Sequence, residues 1–237
     1  NFWNDEEAER GKEWWITEEN HQKLLAYLKE ANAYEEFSVA AEKLRADGRL
    51  GGRVLEAGAG TCWSAALWSR VPEIVRVDAV ELSWHRISTL ASPTIKALDG
   101  DPKKINRIFG SFTDIRRPDA TYDIISMAAA FHHCEDPVGL IAELDRCLTR
   151  DGVIVLLGER PVGAAMIARR FAASLVKRGK LHLSFSSLFA PVPEIGDHYY
   201  RPKDYVRLFS AAGFDVEFLP IRQPNCAIVA TRSDKRT

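Results

Sequence analysis

The run VLEAGAGT, residues 54–61, holds the most specific chemistry in the chain. A short apolar stretch delivers Glu56, then a turn with Gly58 and Gly60, and then CWSAALWSR, rich in helix-forming Ala and Leu. Glycines let the backbone turn sharply and let a ligand approach where a Cβ would otherwise stand. The helix that follows offers N–H groups with no partner inside the helix. The next acidic marker, Glu81, ends the run VRVDAVE about 20 residues after Gly60, where a carboxylate can accept hydrogen bonds from both hydroxyls of a ribose. A bare Gly-x-Gly after a strand is often only a tight turn. Glu81 in phase with it predicts an adenosine-containing ligand across the C-terminal edge of a sheet.

The neighbours of the turn narrow the ligand. A dinucleotide fingerprint puts a third glycine where Trp63 stands. An indole there opposes the close helix–strand packing that a glycine permits. Glu56, two positions before Gly58, would repel a pyrophosphate but suits a cationic amino-acid tail. The balance moves from a nicotinamide dinucleotide to S-adenosylmethionine, whose methionine end carries an ammonium and a sulfonium.

The elements that must position these groups follow from periodicity. HQKLLAYLKEA spaces Leu24, Leu25 and Leu28 as a helix does, and a second helix is expected over about 34–46. From residue 53, apolar runs alternate with helical stretches: RVLEAG, CWSAALWSR, VRVDAVE, SWHRISTLA, INRIFG, YDIISMAAA, VGLIAELDRCL and DGVIVLLGE. This alternation predicts an α/β fold, a mostly parallel sheet covered on both faces. KDYVRLFSAAGF is a helix stopped by Gly213, and FDVEFLP and NCAIVAT form an antiparallel terminal pair. The stretch 161–200 falls where loops gather above such a sheet and is assigned as a substrate cover.

Composition bounds the rest. A chain of 237 residues can bury one sizeable core. With Lys plus Arg at 32 and Asp plus Glu at 33, a general nucleic-acid coat is not expected. No apolar run is long enough to span a bilayer, and the acidic start NFWNDEEAERGKEWW is not a secretory signal. Cys62, Cys134, Cys147 and Cys226 form no CxxC pair and no Cys/His cluster with zinc spacing, so free thiols in a reducing, cytoplasmic setting are expected, with no metal.

LEAGAGT, VELS with Glu81, GSFTDI, YDIISMAAAFHH, LTRDGVIVLLGE and the AGF of 212–214 occur in the order of the class I S-adenosylmethionine-dependent methyltransferases, and the chain resembles the small-molecule type of that family, best over about 50–160. The resemblance implies a three-layer Rossmann-like fold: a seven-stranded sheet, mostly parallel, with an antiparallel last strand. It divides the chain into an N-terminal helical segment closing over the site (1–48), a cofactor-binding core (49–160), a substrate cover (161–200) and a last helix with two strands (201–237). It places Glu56, Gly58 and Gly60 at the methionine end, Glu81 on the ribose and Leu82 beside the adenine. Phe112 presents its backbone to the ring edge with Asp114 nearby, and Met127 and Ala128, after the fourth strand, flank the sulfonium. Ser111 departs from the family here, since many relatives carry an acidic residue directly after the glycine at 110.

Methyl transfer to a hydroxyl is helped by a general base. His132 and His133, in AAAFHHCEDP, are candidates, the alternative being that they hold the loop or cap the next helix. Glu159, ending the fifth core strand, is a third. His198, Tyr199 and Tyr200 in GDHYYRP form a candidate substrate cluster. Arg169, Arg170, Lys177, Arg178 and Lys180 would attract an anionic or sugar-like acceptor unless they form a solvated face, and Trp3, Trp14 and Trp15 either close over the cofactor or staple the N-terminus to the core. No carboxylate cluster signals the divalent metal of catechol-type enzymes. The expectation is a monomer or homodimer that methylates the oxygen of a small molecule. A non-catalytic S-adenosylmethionine-fold module and a nicotinamide dehydrogenase are the competing readings.

Overall fold

The computed structural model describes residues 22–178, 184–191, 196–221 and 226–233, with the backbone alone for 175–178. Trp3, Trp14, Trp15, Lys180 and the side chains of Lys177 and Arg178 lie outside the described residues.

Seven described strands form one sheet: β1 (Gly52–Ala57), β2 (Ile74–Glu81), β3 (Ile105–Phe109), β4 (Tyr122–Ala128), β5 (Leu148–Leu157), β6 (Phe214–Pro220) and β7 (Cys226–Arg232). Their order is β3-β2-β1-β4-β5-β7-β6. The first five run parallel, and β7 runs antiparallel to both neighbours.

Successive strand residues point to opposite faces, and here both faces are buried. Val54, Ile124, Val153 and Val155 belong to one apolar cluster, and their chain neighbours Leu55, Ile125, Ile154 and Leu156 to the other. The first cluster packs under α1 (Gln22–Glu30), α2 (Ala33–Ala46), α3 (Trp63–Ser69) and α4 (Ala91–Ala97). The second packs under α5 (Pro137–Cys147) and α8 (Pro202–Ala211). Two further helices, α6 (Ala164–Arg178) and α7 (Phe185–Leu188), lie in the expected cover. The result is the three-layer architecture expected of the alternation.

Three boundaries differ from expectation. Leu148, placed by periodicity in a helix, begins β5 instead, because its buried side chain pairs across from Tyr122. Met127 and Ala128 lie inside β4 rather than after it. The SWHRISTLA helix opens with a π-turn at Arg86–Leu90 before becoming α4. No described helix is long and apolar enough to cross a membrane, and all four cysteines are free and buried.

Candidate active site

The glycine turn leaves the C-terminal end of β1 and is tied to β2. The N–H groups of Gly58 and Ala59 both donate to the Val80 carbonyl at 2.9 Å. The nearly buried Glu81 carboxylate braces the same turn, accepting from Gly60 N–H and Ser83 N–H, each at 2.7 Å. Gly58 has φ +75°, and a Cβ there would stand 2.8 Å from the Ala130 Cβ and 3.2 Å from the Phe112 ring. Gly58→Ala should therefore combine a strained backbone with a steric clash, lowering stability by about 1–3 kcal/mol. Denaturant unfolding checks this, and a variant as stable as the parent would contradict the geometry.

Cys62, which caps α3, takes φ 65°, a left-handed conformation that glycine adopts more easily. The chain thus makes the sharp entry into the helix with a small buried thiol one position before the site of the fingerprint's third glycine. Trp63 does not obstruct that entry, because its indole, half-buried, lines a cavity.

Glu56 is fully buried. It accepts from the Ser64 hydroxyl, while its Oε2 has no hydrogen-bond partner among the described residues. Burial is the main cause that pushes its pKa up to about 8, with the Glu81 charge adding and hydrogen bonds from Ser64 and the Ala65 N–H opposing.

The other expected cofactor residues fall in two groups. Leu82 and Phe112 are half-buried, and Phe112 packs at the glycine turn. The Met127 side chain is wholly inside the core and Ala128 is nearly so, which leaves backbone as what they can offer a ligand. Asp114 is exposed and paired with Arg116 at 3.1 Å, an arrangement its place in a surface turn explains without a ligand.

His132 and His133 form a short 3-10 turn, Phe131–His133, after β4. Neither caps the next helix. Asp136 does so, accepting from Gly139 N–H at 2.9 Å, with Pro137 opening the helix. His132 Nδ1 lies 3.1 and 3.0 Å from the two oxygens of Glu159. Glu159 is fully buried and also accepts from the Phe131 N–H at 3.1 Å and the Tyr205 hydroxyl at 2.9 Å. Burial works against a charged His132 ring, but the Glu159 carboxylate outweighs it and holds the pKa above the usual value. The oxygens of Glu159, two residues beyond the end of β5, are thus shared among His132, Tyr205 and the Phe131 N–H. His133 pairs with Asp197 at 3.0 Å, and the His198 N–H donates to the His132 carbonyl at 2.8 Å. The segment around 197–200 is thereby fastened to the histidine turn.

These groups surround a cavity of about 360 Å³. His132, Glu159, His198, Tyr199 and Tyr200 line it, together with side chains the sequence did not single out, among them Tyr27, Glu36, Arg160, Asp197 and Tyr205. Glu36 projects from α2, buried, and accepts from the Gly158 N–H just beyond β5. The basic stretch is not part of this wall among the described side chains. Arg170 instead lies between the rings of Phe189 and Tyr199, 4.4 and 4.7 Å from their centroids, and donates to the Leu188 carbonyl at 2.8 Å.

A family model described as a methyltransferase domain matches residues 30–218, most of the chain. The chain belongs to the class I S-adenosylmethionine-dependent methyltransferases. Solved structures share the methyltransferase's fold. The magnesium protoporphyrin IX methyltransferase of Synechocystis PCC 6803, with bound SAH, is 14% identical, covers 98% of this chain and 97% of its own, and superposes with a TM-score of 0.66. A SAM-dependent methyltransferase from Aquifex aeolicus is 18% identical over 81% of this chain and 89% of its own, with a TM-score of 0.56. A putative sarcosine dimethylglycine methyltransferase from Galdieria sulphuraria is 21% identical over 81% and 67%, with a TM-score of 0.57. No curated protein matches the methyltransferase's sequence. At these identities the structural likeness speaks for the fold of the methyltransferase, and the acceptor has to be read from the cavity.

Proposed function

We propose that the methyltransferase transfers a methyl group to a hydroxyl oxygen of a small molecule seated in the cavity of Glu36, His132, Glu159 and Tyr200. The observation that carries this reading is the His132–Glu159 pair. A buried carboxylate, itself held by Tyr205 and the Phe131 N–H, fixes Nδ1 of the imidazole and leaves Nε2 for a proton. Such a pair is what an oxygen nucleophile needs, since a hydroxyl must lose its proton as the new bond forms. The pair also stabilises the resulting imidazolium, because the carboxylate charge is already in place.

The residues of the glycine turn fit the cofactor. Glu56 offers a buried carboxylate oxygen without a donor, which suits an ammonium, and the left-handed Gly58 keeps the turn free of side chain. Glu81 would hold the ribose hydroxyls, Leu82 and Phe112 would flank the adenine, and the backbone of Met127 and Ala128 would border the sulfur. When bound, S-adenosylmethionine supplies a methyl group already activated on a sulfonium. The chain's own task is to orient the acceptor hydroxyl, exclude water and take the proton, of which orientation alone can contribute on the order of 7 kcal/mol. The helices of 22–48 and the segment 161–200 are proposed as the two walls that close the cavity, in a cytoplasmic protein. The charge of the wall is mixed, with Glu36, Glu159 and Asp197 lining the cavity beside Arg160 and His132, while Arg170 does not line it.

Turnover with methyl-labelled cofactor against a pool of hydroxylated and amino acceptors tests the reading. Label is expected in ether or ester products, and label found only on nitrogen or carbon would overturn the oxygen assignment.

Glu56 gives a second expected result. Its folded-state pKa of about 8 lies above the ordinary 4.5, so the native chain keeps a proton that the unfolded chain has lost between those values. Its contribution to stability therefore falls as pH rises across that window. An ammonium beside it favours the carboxylate, so binding of S-adenosylhomocysteine at pH 7 should release a proton, up to one per site. Calorimetry in buffers of different ionisation enthalpy measures the release, and a value of zero would remove Glu56 from the cofactor's methionine end.

A further inference from the structure

We infer that His132, His133 and Asp197 form a binding site for one divalent transition ion of the Zn²⁺ class, opening on the acceptor cavity. Each offers one ligand atom, and the three atoms lie within 4.8 Å of one another. They come from two segments, the 3-10 turn after β4 and the loop before α8, that the His198 N–H bond to the His132 carbonyl holds together.

Four features favour an ion over a chance cluster. Two donors about 2.1 Å from a Zn²⁺ ion, at tetrahedral to right angles, stand roughly 3.0–3.4 Å apart. His133 Nδ1 and Asp197 Oδ1 are 3.0 Å apart, which is one edge of such a polyhedron. Both atoms are shielded from solvent, and Asp197 Oδ1 accepts no well-aligned hydrogen bond from any described residue. Ligating histidines characteristically give their other ring nitrogen to a carboxylate, and His132 does this with the buried Glu159 at 3.0 and 3.1 Å. Finally, His132 and Asp197 line the cavity, so a fourth coordination position would face solvent or an acceptor oxygen. Three protein ligands with one open position is a pattern of catalytic rather than structural zinc. Two imidazoles and one carboxylate select a borderline ion over Mg²⁺ or Ca²⁺, which prefer all-oxygen sites.

The inference stands on the three side chains and does not require His132 to be the base. If it is, the ion and the acceptor's proton compete for one imidazole nitrogen, and the loaded protein is the idle form of the enzyme.

Tag-free protein, saturated with S-adenosylhomocysteine, is dialysed against Zn²⁺ and separately against Co²⁺. The expected result is one equivalent bound, with a cobalt spectrum lacking the thiolate charge-transfer band, which excludes the four cysteines. His133→Ala and Asp197→Asn should each weaken binding about tenfold or more, with S-adenosylhomocysteine affinity unchanged as the check on folding. If His133→Ala loses both ligands, the conservative Asp197→Asn decides. No uptake by the parent protein, thiolate ligation, or parent-like affinity in the folded variants would overturn the site, whereas loss of S-adenosylhomocysteine binding by the parent would count against the cofactor reading instead.

Discussion

His132→Ala is expected to lower kcat by about 100-fold or more, with S-adenosylhomocysteine affinity within about twofold of the parent. The two effects separate because the imidazole lines the cavity, whereas Glu56, Gly58, Gly60 and Glu81 stand at the β1 and β2 ends of the sheet and do not line it. Truncation also leaves Glu159, fully buried, with Tyr205 and the Phe131 N–H as its remaining donors. Losing one donor to a buried carboxylate costs about 1–3 kcal/mol, so a fall in stability will accompany the fall in rate. His132→Asn distinguishes the causes. An amide can still donate to Glu159 from near the Nδ1 position, but it cannot accept a proton at neutral pH. Stability should recover in that variant and turnover should not. Turnover within a few-fold of the parent in both variants would reduce His132 to a structural role.

The second large effect belongs to Glu81. Replacement by Ala should weaken S-adenosylhomocysteine binding by about 100-fold, the loss of two hydrogen bonds to a charged acceptor at about 1.5–3 kcal/mol each, reduced by partial rehydration. The structure adds a component the sequence did not carry: the same carboxylate accepts from the Gly60 and Ser83 N–H groups and so holds the glycine turn in shape. Glu81→Gln retains an acceptor for one of those donors and is expected to lose less than Glu81→Ala. Calorimetric titration of both reads the difference. Unchanged affinity in the alanine variant would remove Glu81 from the ribose.

The sheet was legible because its strands are short apolar runs separated by helical stretches, a pattern with few architectures available to it. The glycine turn and Glu81 were legible for a similar reason, since local backbone geometry dictates residue type. What joins across the fold was not. Tyr205 sits in KDYVRLF, where an aromatic at a buried helical position reads as core, and nothing local announces that its hydroxyl meets Glu159. Glu36 lies in a charged helix and reads as a solvated face, but the approach of α2 to β5 buries it. Asp197 was passed over beside His198 because its partner, His133, is far away in sequence. Cys62 could have been found, since the residue entering a helix straight from a Gly-x-Gly turn has to accept an unusual backbone angle.

The place of β7 has a consequence for how the protein is made. Cys226–Arg232 leaves the ribosome after every other described strand, yet it pairs on both edges, with β5 and with β6. Until it arrives, the β5 edge at Val153–Leu156 has no neighbour, and β6 has nothing to pair with. A nascent chain lacking those seven residues presents an apolar open edge, the kind of surface that invites aggregation. The layer beside it, Glu159 included, is completed only once those seven residues have been made.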